Sequence, residues 1–210
     1  NIDGAVTHCN ILVLPCLYEL AKNRCHFIAE NQQYNNPKSK LDGAYLIYDN
    51  EEKHIYYNRE YDFNGGRERV GMGVLIAKYL QNHDDEVLLN SLKKYIKYVQ
   101  KNLVCIETGE VFNDCNYDNS FTRLYNYPWF SLFYIELYKL LRDKNMLEIA
   151  YKIMLFFYNQ GGEHFYAIEV PIVKLVECLR ESGMTDMADN MIAWFKKHAD
   201  YIAETALDYP

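Results

Sequence analysis

Amphipathic helices in this 210-residue chain are joined alternately by short turns and by long connections, and this alternation restricts the folds open to it. Turns of a few residues are predicted at 82–85, 143–145 and 182–185. Long connections rich in aromatic, carboxylate and asparagine side chains occupy 31–66, 102–127 and 160–169. If the helical hairpins stack side by side, the long connections all emerge at one end, which we call the long-loop face. Long ordered loops on a rigid scaffold carry most binding and catalytic groups, so we expect the functional site there.

The spacing of apolar residues predicts seven helices. Val70, Val74 and Tyr79 share one face over 67–81, and Pro128 suits the first turn of a helix with a broad apolar stripe. Thr185 is the expected N-cap of the last helix. Alternating patterns predict two small β-hairpins inside the long connections, at 43–63 and 104–112. The predicted fold is all-α, a single domain over 1–210 built from helical hairpins.

Composition excludes several functions. A net charge of −7 argues against a nucleic-acid surface, and the basic stretches 93–97 and 196–197 are interpreted as solvated helix faces. Apolar runs are too short to cross a membrane, and the expected location is cytoplasmic. The six cysteines show no metal-binding spacing, so we expect neither a metal nor another cofactor. Cys105 and Cys115 flank a predicted turn and are open to a disulfide, although reduced, buried thiols are favoured.

The segment GGRERVGMGVLIAKY, residues 65–79, is followed by a helix pair and then by NYPWFSLFYIELYKLL, residues 126–141. This arrangement resembles the (α/α) toroid of the six-hairpin glycosidase superfamily, which includes unsaturated uronyl hydrolases, other glycoside hydrolases and polysaccharide lyases. The resemblance extends from about Gly65 over most of the chain and is architectural more than motif-based. It implies an (α/α) toroid that acts on carbohydrate.

A complete toroid of that superfamily has about twelve helices, whereas this sequence predicts seven. The resemblance therefore implies a partial toroid, part of a longer chain or an open arc that a partner subunit completes. Some catalytic groups are then expected to lie outside these residues.

Glycoside hydrolysis uses two carboxyl groups beside the scissile bond. On the long-loop face the candidate catalytic residues are Glu68, Asp118 and Asp114. Glu68 follows the diglycine 65–66 and lies between two arginines, so it is equally well interpreted as a partner of the helix dipole or of those arginines. Asp114 and Asp118 belong to a dense polar segment in which backbone turns alone favour Asp and Asn.

Aromatic rings offer flat surfaces to sugars, and arginines pair with uronate carboxylates through two hydrogen bonds. The chain contains 20 tyrosines, but only those in the long connections count towards this argument. The candidate substrate-binding residues are Arg67, Arg69, Asn116, Arg123, Tyr125, Tyr127, Trp129, Glu163, His164 and Tyr166.

The favoured function is a glycoside hydrolase acting on an oligosaccharide, one that carries uronic acid in one version of the hypothesis. A polysaccharide lyase is the nearest competing function, in which an Arg or Asn neutralises the uronate and a Tyr or His removes the adjacent proton. Two hypotheses without catalysis also stay open: a helical-hairpin module that binds protein or peptide, and a sugar-binding remnant without a catalytic pair.

Overall fold

The computed structural model describes residues 9, 11–56, 69–117, 122–166 and 169–206. Within these residues there are seven α-helices and one two-stranded sheet. The helices are α1 Leu17–Phe27, α2 Val70–Leu80, α3 Glu86–Asn102, α4 Asn126–Leu141, α5 Lys144–Asn159, α6 Ile172–Glu181 and α7 Thr185–Thr205. A π-helical turn, Ile28–Gln32, extends α1, and a 3₁₀ turn, Gly162–His164, follows α5. The predicted all-α class is confirmed.

Two of the three helices that follow short turns are capped by an aspartate side chain. Asp85 accepts a hydrogen bond from the Leu88 amide at 3.0 Å, and Asp143 accepts one from the Asn145 amide at 3.0 Å. Each carboxylate satisfies an otherwise unpaired N–H at a helix start. The predicted cap at Thr185 is wrong, because Thr185 is the first residue of α7 and follows Met184, which makes no side-chain capping bond.

The helices form two layers. α4 packs against α2 and α6, so the three helices that follow long connections form one row, which we call the inner row. α3, α5 and α7 follow short turns and pack on the inner row as their hairpin partners. α2, α4 and α6 therefore run in the same direction and begin at the long-loop face.

Buried aromatic rings join the layers. The Tyr45 and Tyr95 rings stack with their centroids 4.3 Å apart, and the Phe133 ring meets Tyr95 edge-on at 5.6 Å. Gly73 of α2 makes this packing possible, because a Cβ atom there would lie 2.6 Å from Tyr95 and 2.8 Å from Phe133. Close-packed interiors leave no space for such an atom.

The described parts of the first two long connections contain short stretches of β pairing. In the first, β1 (Ile47–Asp49) pairs antiparallel with β2 (His54–Tyr56), which confirms the predicted hairpin there. In the second, a single bridge joins Val104 to Val111, so the predicted hairpin at 104–112 is reduced to a turn.

Two further sequence expectations concern the cysteines and the membrane. Cys105 and Cys115 are not joined by a disulfide; Cys115 is buried, whereas Cys105 is partly exposed. Over the described ranges, the model contains no helix with the length and apolar character that a membrane span requires.

Candidate functional site

The first turns of the inner-row helices line a cleft at the long-loop face. One part of the cleft, about 230 Å³, lies between α2 and α4 and is lined by Val70, Gly71, Val74, Trp129 and Leu132. A second part, about 240 Å³, lies between α4 and α6 and is lined by Pro128, Trp129, Leu132, Glu169, Val170, Pro171, Val173 and Lys174. We call the two parts together the inner cleft. Trp129 and Leu132 belong to both parts.

Trp129 is the central side chain of the inner cleft. It lies in the first turn of α4, and 42% of its surface is exposed although it is a large apolar residue. Its neighbours Pro128 and Phe130 are buried and hold this turn in the core. An exposed indole on a rigid turn offers a flat apolar surface to a ligand.

Tyr125 lies beside the Trp129 indole, and Arg123 lies on the Tyr125 ring. The Tyr125 ring lies 5.6 Å from the Trp129 ring, and the Arg123 guanidinium carbon lies 4.4 Å from the centre of the Tyr125 ring. A guanidinium over a tyrosine face is held by attraction to the ring electrons. The structure thus brings together three of the residues that the sequence selected.

Asp114 and Asn116 lie in a turn of the second long connection. Asp114 is 2% exposed, and its Oδ1 accepts a hydrogen bond from the Asn116 amide at 2.7 Å. Asn116 Oδ1 in turn accepts from Lys40 Nζ at 2.7 Å. The Asp114 carboxylate therefore stabilises the turn, as the backbone-turn interpretation expected, and its catalytic role stays a prediction.

The position of Tyr127 differs from its predicted place among the substrate-binding residues. Its side chain is 1% exposed and stacks on the Phe156 ring at 5.5 Å, nearly parallel. Burial raises the pKa of its hydroxyl to about 12. Tyr127 points into the core between α4 and α5, so it belongs to the packing of the hairpin and not to an exposed sugar-binding surface. The helical period separates it from Trp129, which lies two positions later on the opposite side of α4.

The third long connection carries Glu163, His164 and Tyr166. His164 and Tyr166 are exposed, and the His164 ring meets the Tyr201 ring edge-on at 5.0 Å. Glu163 is half-buried, with its Oε1 3.8 Å from His164 Nε2. Its Oε2 is buried and has no hydrogen-bond partner among the described residues. The three side chains remain candidates for contact with a ligand.

The remaining predicted residues are Arg67, Glu68, Asp118 and Arg69. The first three lie outside the described residues. Arg69 directly precedes α2. Burial holds the pKa of Tyr95 well above its usual value, and the positive charge of Arg69 opposes this effect. Arg69 thus lies at the edge of the core, next to the start of the inner cleft.

Sequence reasoning missed two features of the inner cleft. Val173 is 62% exposed in the first turn of α6, and Lys174 beside it adds a positive charge to the lining. Exposed apolar residues in the first turns of neighbouring parallel helices indicate such a cleft. The sequence alone does not show that α2, α4 and α6 are neighbours, so this signal could be read only once the inner row was known. In the described part of the chain, no three His, Cys, Asp or Glu side chains meet as a metal site would require.

The described fold can be compared with known proteins. No family model matches the chain, and no curated protein matches it. Among solved structures, the chain is similar to a protein described as a polysaccharide lyase, with 32% sequence identity and a TM-score of 0.86. The similarity covers 95% of this chain and 30% of the other, so this chain spans less than one third of the lyase's length. It supports the toroid class that the helical hairpins indicate.

Proposed function

We propose that this chain is part of a carbohydrate-active enzyme, a polysaccharide lyase that cleaves a uronate-containing polysaccharide by β-elimination. The observation that carries the proposal is the structural similarity to a polysaccharide lyase over 95% of the chain at 32% identity. The inner cleft supports it independently, because an exposed indole beside an arginine suits a sugar ring that carries a carboxylate. Lyase chemistry is therefore favoured over the hydrolysis that the sequence had put first.

β-Elimination needs three actions on the substrate. A cation neutralises the uronate carboxylate, which acidifies the hydrogen on the adjacent ring carbon. A base removes that hydrogen as a proton, the carbon–hydrogen electron pair forms a double bond to the neighbouring carbon, and the glycosidic bond from that carbon to oxygen breaks. The departing oxygen then receives a proton from a general acid. No water is consumed.

The described residues suit the first of these actions and the positioning of the sugar. In our proposal the sugar stacks on Trp129, and Arg123, held over Tyr125, pairs with the carboxylate. His164 and Tyr166 are exposed on the same face and carry groups that can move a proton. Arg67, Glu68 and Asp118 stay predictions for this site.

The product distinguishes lyase from hydrolase. The protein is incubated with uronate polysaccharides, and ultraviolet absorbance of the unsaturated product and the masses of the fragments are recorded. We expect absorbance to rise, and the fragment masses to sum to that of the substrate. Fragments that together contain one additional water, without the absorbance, would establish hydrolysis and contradict the proposal.

The role of Trp129 is tested with two variants. Trp129→Ala removes the stacking surface, and we expect kcat/KM to fall about tenfold or more, equivalent to roughly 1.4 kcal/mol of transition-state stabilisation. Trp129→Phe retains a flat ring and should recover part of the activity. Because the indole is exposed, both variants should unfold like the wild type. Trp194→Phe, which replaces the indole stacked on Tyr158, is the control and should leave kcat/KM unchanged.

A further inference from the structure

A second groove lies on the outer layer of the molecule, away from the inner cleft. It encloses about 420 Å³ between α3 and the segment that follows the π-helical turn. Lys94, Lys97 and Lys101 share one face of α3 at spacings of three and four residues, and Lys40 faces them from the segment. We call this the lysine groove. Its lining contains one carboxylate, that of Asp42.

The positive charges of the lysine groove are not balanced by the described part of the protein. None of the four lysines forms an ion pair with a carboxylate in the ranges that the structure describes. Two of them donate to neutral amide oxygens instead: Lys94 Nζ to Asn35 Oδ1 at 2.9 Å, and Lys40 Nζ to Asn116 Oδ1 at 2.7 Å. Among the lining residues that the structure describes, four clustered cations face the single carboxylate of Asp42, which makes a local positive potential in a chain of net charge −7.

The wall opposite α3 is rigid, so the lysines belong to a formed groove. Gly43 has a φ of +89°, and a Cβ there would lie 2.8 Å from the Lys94 carbonyl oxygen. Gln33 Nε2 donates to the Gly43 carbonyl at 3.2 Å and to the Ser91 carbonyl at 2.9 Å, which ties the segment to α3. Groups on a preformed surface lose little conformational entropy when a ligand binds.

We infer that the lysine groove binds an anionic stretch of the polysaccharide, as a site separate from the inner cleft. The inference rests on the proposed function for the identity of the anion, because a β-eliminated substrate carries a carboxylate on each uronate. Lysine ammonium groups suit such spaced single charges. A nucleic acid is less well matched, since Tyr98, the aromatic residue of the groove lining, is 2% exposed and offers no ring face for base stacking. The exposed Tyr117, whose hydroxyl donates to the Lys101 carbonyl at 2.9 Å, lies outside that lining.

Charge-neutralising variants of equal net charge test the inference. Lys94→Gln/Lys97→Gln/Lys101→Gln removes three groove charges, and Lys93→Gln/Lys196→Gln/Lys197→Gln removes three exposed charges elsewhere, one of them on α3 itself. Both are combined with Trp129→Ala to weaken binding at the inner cleft. The probes are a galacturonate hexasaccharide, a glucuronate-containing hexasaccharide, maltohexaose and a hexamer of thymidylate, titrated by calorimetry at low and at physiological salt.

We expect the parent Trp129→Ala chain to bind at least one of the uronate probes and not maltohexaose, with affinity that falls as salt rises. The groove variant should bind that probe about tenfold more weakly, and the control variant should bind it as the parent does. Equal weakening in both variants, no weakening in the groove variant, no uronate binding by the parent, or tighter binding of thymidylate than of uronate would each overturn the inference.

Lysine footprinting gives a second measurement that needs no substitution. Reductive methylation of the wild-type chain, followed by mass spectrometry, should be slowed at Lys40, Lys94, Lys97 and Lys101 by the uronate probe and unchanged at Lys93 and Lys197. Protection of the last two to the same extent would contradict the inference. Failure of the lyase assay together with groove-specific binding would contradict the proposed function and still support anion binding in the lysine groove. Turnover without groove-specific binding would support the proposed function and contradict the inference about the lysine groove.

Discussion

At the scale of single residues, the role of a side chain depends on which side of its helix it occupies. Tyr127 and Trp129 are both aromatic and both follow the second long connection, yet one is buried against Phe156 and the other is exposed in the inner cleft. Gly71 and Gly73 differ in the same way. Gly71 is exposed with open space around it, whereas Gly73 lies against Tyr95 and Phe133.

This difference predicts opposite effects of one substitution. Gly73→Ala forces a methyl group against two buried rings that cannot move aside, and we expect the free energy of unfolding to fall by about 1–3 kcal/mol. Gly71→Ala meets no atom within 4 Å, and alanine favours helix, so stability should be unchanged or rise by up to roughly 0.5–1 kcal/mol. Urea unfolding measures both, and equal effects of the two substitutions would show that this packing is described wrongly.

At the scale of elements, the 3₁₀ turn Gly162–His164 is held to α7 through a buried histidine. His198 is 1% exposed, and its Nε2 is 3.1 Å from the Phe165 carbonyl oxygen, to which it donates as a neutral imidazole. Burial lowers the pKa of His198 below its usual value; the Phe165 carbonyl and the Glu163 charge oppose this effect, and His164 adds to it. Burial therefore favours the neutral ring, while the hydrogen bond to the Phe165 carbonyl can be donated in either protonation state.

A histidine whose pKa is lower in the folded state takes up a proton more readily when unfolded. The contribution of neutral His198 to the free energy of unfolding is therefore fully present above the unfolded pKa of about 6.5. It decreases as the pH falls through that value. We expect thermal unfolding of the wild type to move to lower temperature between about pH 7.5 and about pH 5.

His198→Gln supplies the comparison, because its amide can still donate to the Phe165 carbonyl and does not titrate. The variant should lose less stability than the wild type over the same pH range, measured by differential scanning fluorimetry. Identical pH profiles would exclude His198 as the cause.

At the scale of the whole molecule, burial is unevenly distributed along the helical rows. Most of α4 is buried between α2, α5 and α6, whereas Cys25 is the one fully buried residue of α1. Leu17 is 82% exposed and Tyr18 is 47% exposed on α1. Local stability follows such burial, because opening a buried helix exposes more apolar surface to water.

Amide hydrogen exchange of this chain should therefore be slowest in the middle of α4 and in α5, and fastest in α1. The measurement is exchange mass spectrometry at peptide resolution under native conditions. If α1 exchanged as slowly as α4, the exposed apolar side chains of α1 would have to be covered in solution, contrary to the structure.

The amino-acid sequence alone was enough to predict the helices, the short turns, the first β-hairpin and the all-α class. These features depend on neighbours a few residues apart: apolar spacing of three and four in the helices, and alternation in the strands. It also selected Arg123, Tyr125 and Trp129, because the first two lie in the second long connection and Trp129 directly follows it. Thr185 was misassigned as a cap because helix ends are determined within one or two residues by turn geometry.

Only the tertiary structure decided which of the selected residues reach a common surface. The lysine stretch of α3 was interpreted from the sequence as a solvated face, and its conversion into a groove depends on Lys40, more than fifty residues earlier in the chain. Likewise, the inner cleft arises from the first turns of three helices that contact one another only after the hairpins pack. Contacts between distant segments follow from packing the whole core, which no local pattern encodes.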